Sequence, residues 1–234
     1  MTNFLSGNNI VLINADKINS GNLINEYIQT DCKIHHASTS SISYKNKNYT
    51  NYYYEDFISL SNNFINDLKI KNIDSVIFFI KDNKFFKQTK INNLSYFDYQ
   101  KLIINLSNKL IQKLKNNNYS KFFFILLPLA FYKEKNSYIY EILNSSFIGY
   151  TLNIAKNYGK YNILSNSIFP GYFLNDLKKI ISLKNINTLK EKIPLKRYAN
   201  LNDLSSAILF FSSEYNTYVT GQVINIDGGF NSIW

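Results

Sequence analysis

Tyr140 and Asn144 stand one helical turn apart in a stretch that is predicted to be a helix, so their side chains share one face. A tyrosine hydroxyl can donate a proton to a carbonyl, but an ordinary tyrosine has a pKa of about 10. A neighbouring cation lowers that pKa because it favours the phenolate. Asn144 carries no charge. The pair therefore offers an acid without the group that would make it effective at neutral pH.

The other candidates for chemistry are one cysteine and a histidine pair. Cys32 is the single cysteine, which excludes an internal disulfide and a cysteine cluster for a metal. Its place beside an apolar run predicts a buried structural thiol. His35 and His36 could contact a phosphate, and surface histidines explain the pair about as well. We expect no metal site.

Short apolar runs alternate with helical patterns along the whole chain. Runs such as NIVLIN and SVIFFI have the length and branching of buried parallel strands. Leucines recur every four residues from Leu102 to Leu114, which indicates a strong helix. This alternation predicts an α/β fold with a doubly wound parallel sheet in one domain, residues 1–234. The predicted strands are 9–14, 32–36, 49–53, 75–80, 121–127, 162–169 and 222–226. The predicted helices are 22–29, 57–69, 99–115, 140–158 and 204–211, with Asn202 or Asp203 as the cap of the last one.

Charge and hydropathy bound the partners. The formal net charge of +10 suggests an anionic partner, but the lysines are spread along the chain and Arg197 is the single arginine. We therefore expect a solvated surface and no nucleic acid. No segment reaches transmembrane length and no basic stretch precedes an apolar run at the start, so we expect a cytoplasmic protein without a membrane partner.

Two strings carry a resemblance to a known family. They are 218-YVTGQVINIDGGF-230, with its closing strand and Asp-Gly-Gly turn, and 147-FIGYTLNIAKNYGKYNILSNSIFPGYF-173, with a long helix, a strand and a Pro-Gly turn. The chain resembles the short-chain dehydrogenases/reductases, and within them it is most similar to 3-oxoacyl-(acyl-carrier-protein) reductase. The resemblance implies a Rossmann-type fold and a dinucleotide cofactor such as NADPH.

The resemblance also assigns cofactor-binding positions, and most of them depart from the family pattern. Ala15 and Asn19 occupy the first two glycine positions of the phosphate-binding turn, and Gly21 occupies the third. The family's Asn-Asn-Ala-Gly after the fourth strand reads FFIK here, so Ile80 would fill cofactor space. The turn at 170–171, Pro170 and Gly171, is retained beside the expected cofactor. We expect no cofactor to bind.

The catalytic positions that the resemblance implies are asparagine, serine, tyrosine and lysine. Asn105 matches the asparagine and Tyr140 matches the tyrosine, whereas Asn144 stands in place of the lysine. Leu127 and Pro128 occupy the position of the serine. A lysine from the preceding loop, Lys133 or Lys135, would have to replace the missing charge.

We therefore predict a catalytically impaired family member that acts as a structural or regulatory subunit, assembled with itself or with an active relative. Apolar residues on two helices have two interpretations, as core or as contacts between subunits: Leu106, Phe147, Tyr150 and Ile154. One alternative is a working NADPH-dependent reductase that acts on acyl carrier protein thioesters. Another is a basic scaffold that binds a polyanion.

Overall fold

The computed structural model describes residues 5–15, 20–39, 44–80, 95–114, 119–128, 137–178 and 183–232. Its strands are β1 (Asn9–Ile13), β2 (Lys33–Ser38), β3 (Tyr49–Tyr53), β4 (Ser75–Phe79), β5 (Ser120–Ile125), β6 (Ile163–Pro170) and β7 (Val223–Ile226). Its α-helices are α1 (Ser20–Gln29), α2 (Phe57–Asp67), α3 (Tyr96–Leu114), α4 (Ser137–Tyr158), α5 (Leu174–Leu177), α6 (Leu183–Lys192) and α7 (Leu201–Ser212). Short 3-10 helices cover Gly159–Tyr161 and Phe230–Ser232.

These strands form one parallel sheet in the order β3-β2-β1-β4-β5-β6-β7. Because the order reverses between β1 and β4, the connections leave these neighbouring strands toward opposite sides of the sheet. In sheets of this type a ligand crevice lies outside the carboxyl ends of the strands at that reversal. The doubly wound Rossmann-type fold predicted from the sequence is confirmed.

The sheet is apolar on both faces because helices cover both. One core cluster includes Val11, Phe78 and Phe124 and is covered by α2, α3 and α4. The other cluster includes Leu12, Ile77, Phe123 and Ile125, and it is covered by α1 and α7. Every residue of β4 and β5 is buried, which explains why these strands read as continuous apolar runs rather than alternating ones.

The helices begin where side chains cap the free backbone N–H groups. The Asp56 carboxylate accepts from the Ser59 N–H at the start of α2. At α7 the cap is Asn200, and Asp203 completes a capping box by accepting from the Asn200 N–H. The predicted cap at Asn202 or Asp203 is therefore wrong, because the helix starts two to three residues earlier than the apolar periodicity indicated.

Cys32 is fully buried and its Sγ lies 3.0 Å from the Tyr27 carbonyl oxygen, as expected for a structural thiol. The histidine interpretation needs correction, because both rings are buried rather than on the surface. Among the described residues, no helix is both long enough and apolar enough to span a bilayer.

Candidate functional site

The carboxyl ends of β1, β4, β5 and β6 meet at one edge of the sheet, and several predicted site residues follow these strands directly. Ala15 follows β1, Ile80 follows β4 and Leu127 follows β5, while β6 ends at Pro170. Helix α4 passes beside β5 and β6 and carries Tyr140 and Asn144. The topology thus brings Ala15, Ile80, Leu127 and Pro170 to a common edge.

The turn after β1 holds its positive φ angle at Asn14, not at Ala15. Asn14 has φ 62° and its N–H donates to the Ala37 carbonyl over 3.0 Å. Asparagine tolerates this left-handed conformation better than most residues. Ala15 therefore does not carry the positive φ angle, and it is fully buried. Asn19 lies outside the described residues, and Gly21 is the second residue of α1.

Asn14 also carries a feature that the sequence analysis missed. Its side chain is 2% exposed, and within the described part of the chain neither its Oδ1 nor its Nδ2 has a hydrogen-bond partner. A buried amide without partners costs about 1 to 3 kcal/mol. An asparagine directly after a strand is the sequence signal that could have drawn attention to it. The group is able to bond to a polar ligand at this turn.

Ile80 places an apolar side chain directly after the last residue of β4. Its side chain is 7% exposed and belongs to the core cluster that includes Phe78, while its N–H donates to the Ile125 carbonyl. Phe78 and Phe79 are core residues. Lys81 lies outside the described residues. The position where the family pattern has small residues is therefore occupied by a branched, buried side chain.

Asn144 makes the most informative contacts of the site. Its Nδ2 donates to the Leu127 carbonyl and its Oδ1 accepts from the Leu127 N–H, each over 3.1 Å. Both residues are buried, at 3% and 4% exposure. The side chain satisfies both backbone polar groups of a residue that has left β5, so it joins α4 to the end of the sheet. No pattern in the sequence indicates this pair of hydrogen bonds, which we call the amide clamp.

The two retained catalytic candidates lie on different helices. Asn105 occupies an exposed position on α3. Tyr140 belongs to the first turns of α4, one turn before Asn144, and its side chain lies outside the described set, as do Lys133 and Lys135. Their catalytic roles stay predictions.

The turn formed by Pro170 and Gly171 packs against the backbone at the end of β7. The Gly171 N–H donates to the Ile226 carbonyl over 2.7 Å. A Cβ at this glycine would lie 2.9 Å from both the Asp227 Cα and the Ile226 carbonyl oxygen. Close backbone packing is thus sufficient reason for a glycine here.

The two histidines pair with tyrosines of the neighbouring strand. His36 Nδ1 lies 2.9 Å from the Tyr49 hydroxyl, and His35 Nδ1 lies 3.4 Å from the Tyr52 hydroxyl. Burial lowers the pKa of His35, with a smaller contribution from the positive charge of Lys33. A neutral imidazole is a poor ligand for a phosphate dianion, so the environment of His35 favours a structural role.

A cavity of about 500 Å³ lies beside the turn that contains Asp227 and Gly228. Its wall includes Tyr172, Leu195 and Arg197, and the Arg197 guanidinium is paired with Asp203 through two hydrogen bonds. The described residues that line it include neither Asn105 nor Asn144.

Sequence comparisons place this arrangement among known proteins. Residues 127–231 match the family model described as Enoyl-(Acyl carrier protein) reductase. The chain is 33% identical over 90 residues to the 3-oxoacyl-(acyl-carrier-protein) reductase FabG of Aquifex aeolicus, which covers 38% of this chain and 36% of that protein. It is 26% identical over 156 residues to FabG of Buchnera aphidicola, which covers 67% of this chain and 61% of that protein. The matches thus span between about a third and three fifths of these relatives.

The fold extends the likeness to almost the whole chain. A short chain dehydrogenase from Leptospira borgpetersenii, solved with bound NAD+, superposes with a TM-score of 0.74 at 19% identity and covers 97% of this chain and 93% of that one. Sequence similarity in the C-terminal half and the shared fold agree with each other. The chain is therefore similar to the short-chain dehydrogenases/reductases, in sequence over residues 127–231 and in fold over almost its whole length.

Proposed function

We propose that this protein does not carry out the hydride transfer of its relatives and acts instead as a structural or regulatory subunit of an oligomer. The observation that carries this proposal is the amide clamp between Asn144 and Leu127. Asn144 stands where the family pattern has a lysine, and Leu127 stands where it has a serine. The Asn144 side chain bonds to the Leu127 backbone.

With Asn144 in place of a lysine, the site lacks the positive charge that would assist proton transfer from the tyrosine. A cation beside the tyrosine would lower the pKa of its hydroxyl and make it a better acid at neutral pH. The Asn144 amide is neutral, and both of its polar ends already bond to Leu127. It therefore carries no positive charge, its oxygen and one of its two N–H donors are engaged with the backbone, and Leu127 offers no hydroxyl to a carbonyl oxygen.

The residues present do not fit a nicotinamide dinucleotide in the family manner. Ala15 is compatible, since the left-handed angle falls on Asn14. At the position where the family pattern has a small residue, however, the chain has Ile80, whose branched side chain is buried in the core cluster with Phe78. Together with the missing ammonium group, this departure from the family pattern argues against productive binding of NADPH or NADH.

Helix α4 supplies the support for an oligomer. Gly149 lies in its middle and is exposed, and a Cβ there would meet no other element within 4 Å. A glycine inside a helix costs about 0.5 to 1 kcal/mol relative to alanine, and no contact with the described residues requires a glycine here. Ile142 and Leu152 lie on the same outer face and are 62% and 49% exposed. This face suits the close approach of a second helix.

The candidate contact residues from the sequence need correction. Leu106, Phe147 and Ile154 are completely buried within the chain, so they cannot contact a second subunit. Tyr150 is partly buried, and its hydroxyl donates to Asn108 on α3. The residues available to a partner are instead the exposed ones around Gly149.

Replacing Gly149 with arginine is expected to convert a dimer into a monomer, because the long charged side chain would occupy the space left for a partner helix. Light scattering after size exclusion at about 50 μM protein measures the mass. Gly159→Arg is the matched control, since a Cβ at Gly159 likewise meets nothing within 4 Å. A monomeric wild type, or an unchanged assembly in Gly149→Arg, would show that this face is not the interface.

A turnover assay tests the loss of chemistry. We expect no oxidation of NADPH above background with a 3-oxoacyl thioester, while FabG assayed alongside provides the positive control. Tyr140→Phe separates traces of contaminating enzyme from real activity. If wild type turned over and Tyr140→Phe abolished that turnover, the impaired reading would be wrong.

The second candidate is a divergent NADPH-dependent reductase that takes its substrate from acyl carrier protein. Asn14 favours it, because an unpartnered amide buried at the end of β1 would gain hydrogen bonds from a ligand at that turn. The family resemblance and the retained Tyr140 add to it. Protection of the fold by NADPH that is lost in Asn14→Leu would support this candidate.

A further inference from the structure

Folding gathers lysines that are scattered in the sequence at the amino edge of the sheet, opposite the crevice. Each of the exposed residues Lys33, Lys45, Lys47, Lys69 and Lys71 lies at or shortly before the first residue of β2, β3 or β4. In a parallel sheet all these strand starts lie along one edge. The dispersal that argued against an anionic partner in the sequence therefore does not persist in the fold.

Backbone hydrogen bonds join the loops of this edge into a continuous row. The Ile34 N–H donates to Asn48, the Lys33 N–H to Asn8, and the Asp74 N–H to Asn9. Further along, the Lys121 N–H donates to Asp74 and the Ser120 N–H to Asn162. The row runs from β3 to β6, which at about 4.8 Å per strand spacing is about 24 Å.

Carboxylates on this edge are already engaged as acceptors. Asp31 accepts from the Asn48 amide, Asp74 from the Asn9 N–H and Asp67 from the Tyr54 hydroxyl. In the part of the chain that the structure describes, none of the edge lysines forms an ion pair. Their ammonium groups remain available to a ligand, with Glu214 as a further charge near Lys121.

Two exposed tyrosines stand on the same edge, one residue before β5 and two residues before β6. Tyr119 is 51% exposed and Tyr161 is 40% exposed. Lys121 Nζ lies 5.8 Å from the centre of the Tyr119 ring, and Lys160 Nζ lies 5.2 Å from that of Tyr161. Tyr119 keeps a large ring at φ 61°, a conformation that is costly for such a residue.

We propose that the amino edge of the sheet binds single-stranded nucleic acid. The lysine row pairs with successive phosphates, and the exposed tyrosines stack against unpaired bases, which is the combination that sequence-tolerant single-strand binding uses. A duplex would satisfy the lysines but hide its bases from the rings, so the tyrosines select single strands. The proposal concerns the edge opposite the catalytic crevice, so it stands whether or not the chain reduces a substrate.

The test is fluorescence anisotropy with a labelled dT20 strand and a duplex of equal length, as a function of salt. The edge variant replaces Lys33, Lys45, Lys47 and Lys71 with glutamine. The control variant replaces four exposed lysines elsewhere, Lys101, Lys178, Lys190 and Lys192, so that both proteins have the same net charge. A third variant, Tyr119→Ser with Tyr161→Ser, removes the rings.

We expect the edge variant to lose affinity for dT20 by about tenfold or more at low salt, with a salt slope shallower by about 3, since each phosphate contact contributes about 0.7. The control variant is expected to keep its affinity within about threefold. The tyrosine variant is expected to lose the preference for the single strand over the duplex. Equal losses in both lysine variants, a preference that survives without the tyrosines, or no binding of wild type at low salt would overturn the proposal.

Discussion

Replacing Asn144 with alanine is expected to lower the free energy of unfolding by about 2 to 4 kcal/mol. The substitution leaves the N–H and the carbonyl of Leu127 without their partners at a place that water does not reach. Each unsatisfied buried backbone group costs about 1 to 3 kcal/mol. Urea unfolding followed by circular dichroism measures the change.

Asn153→Ala is the matched control for this experiment. Asn153 is an exposed asparagine on the same helix, and alanine has the higher helix propensity, so stability should be unchanged or slightly raised. The comparison removes the effect of propensity from that of the clamp. If the free energy of unfolding of Asn144→Ala lay within about 0.5 kcal/mol of the wild-type value, Asn144 would not hold the end of β5. The proposal that Asn144 has a structural role at the family's lysine position would then lose its basis.

Replacing Gly171 with alanine is expected to cost about 1 to 3 kcal/mol, as is typical of overpacking. The new methyl group would lie 2.9 Å from two backbone atoms of the 226–227 segment, and backbone cannot move aside as a flexible side chain can. Relief requires β6 and β7 to separate, which breaks the Gly171–Ile226 hydrogen bond. Thermal unfolding measures the loss.

Gly159→Ala provides the contrast, because a methyl group there meets no atom within 4 Å, and its stability should stay close to that of wild type. Equal stability of the two variants would mean that the Pro170-Gly171 turn is kept for another reason, such as a ligand. A selective loss in Gly171→Ala would instead show that the turn can be retained for the fold alone.

The fold could be predicted because its signals are local. Buried parallel strands such as Ser75–Phe79 appear in the sequence as apolar runs. Leucines four residues apart predict the helix α3. The segment from Leu174 to Lys192 was missed, because α5 has a single turn and α6 is mostly polar and exposed, so neither leaves an apolar stripe. Helix ends depended on caps such as Asn200, whose role is visible only in three dimensions.

The candidate site was harder to predict because it depends on pairings between distant residues. The absence of a lysine at position 144 was readable, but the bonds from Asn144 to Leu127, 17 residues away, were not. In the sequence, Asn14 looks like the ordinary end of a strand, and its burial is visible only in the structure. The lysines of the amino edge seemed dispersed because strand order, not chain order, brings them together.

The most direct test of the account is the effect of NADPH and NADH on thermal unfolding, up to about 1 mM of either nucleotide. A ligand present at 100 times its Kd stabilises the folded state by about 2.7 kcal/mol, which is a shift that such a measurement readily detects. We predict no shift, because Ile80 and Asn144 stand where the family pattern has a small residue and a lysine, so the ammonium group is missing. A saturable rise in Tm with a Kd in the micromolar range would contradict the account.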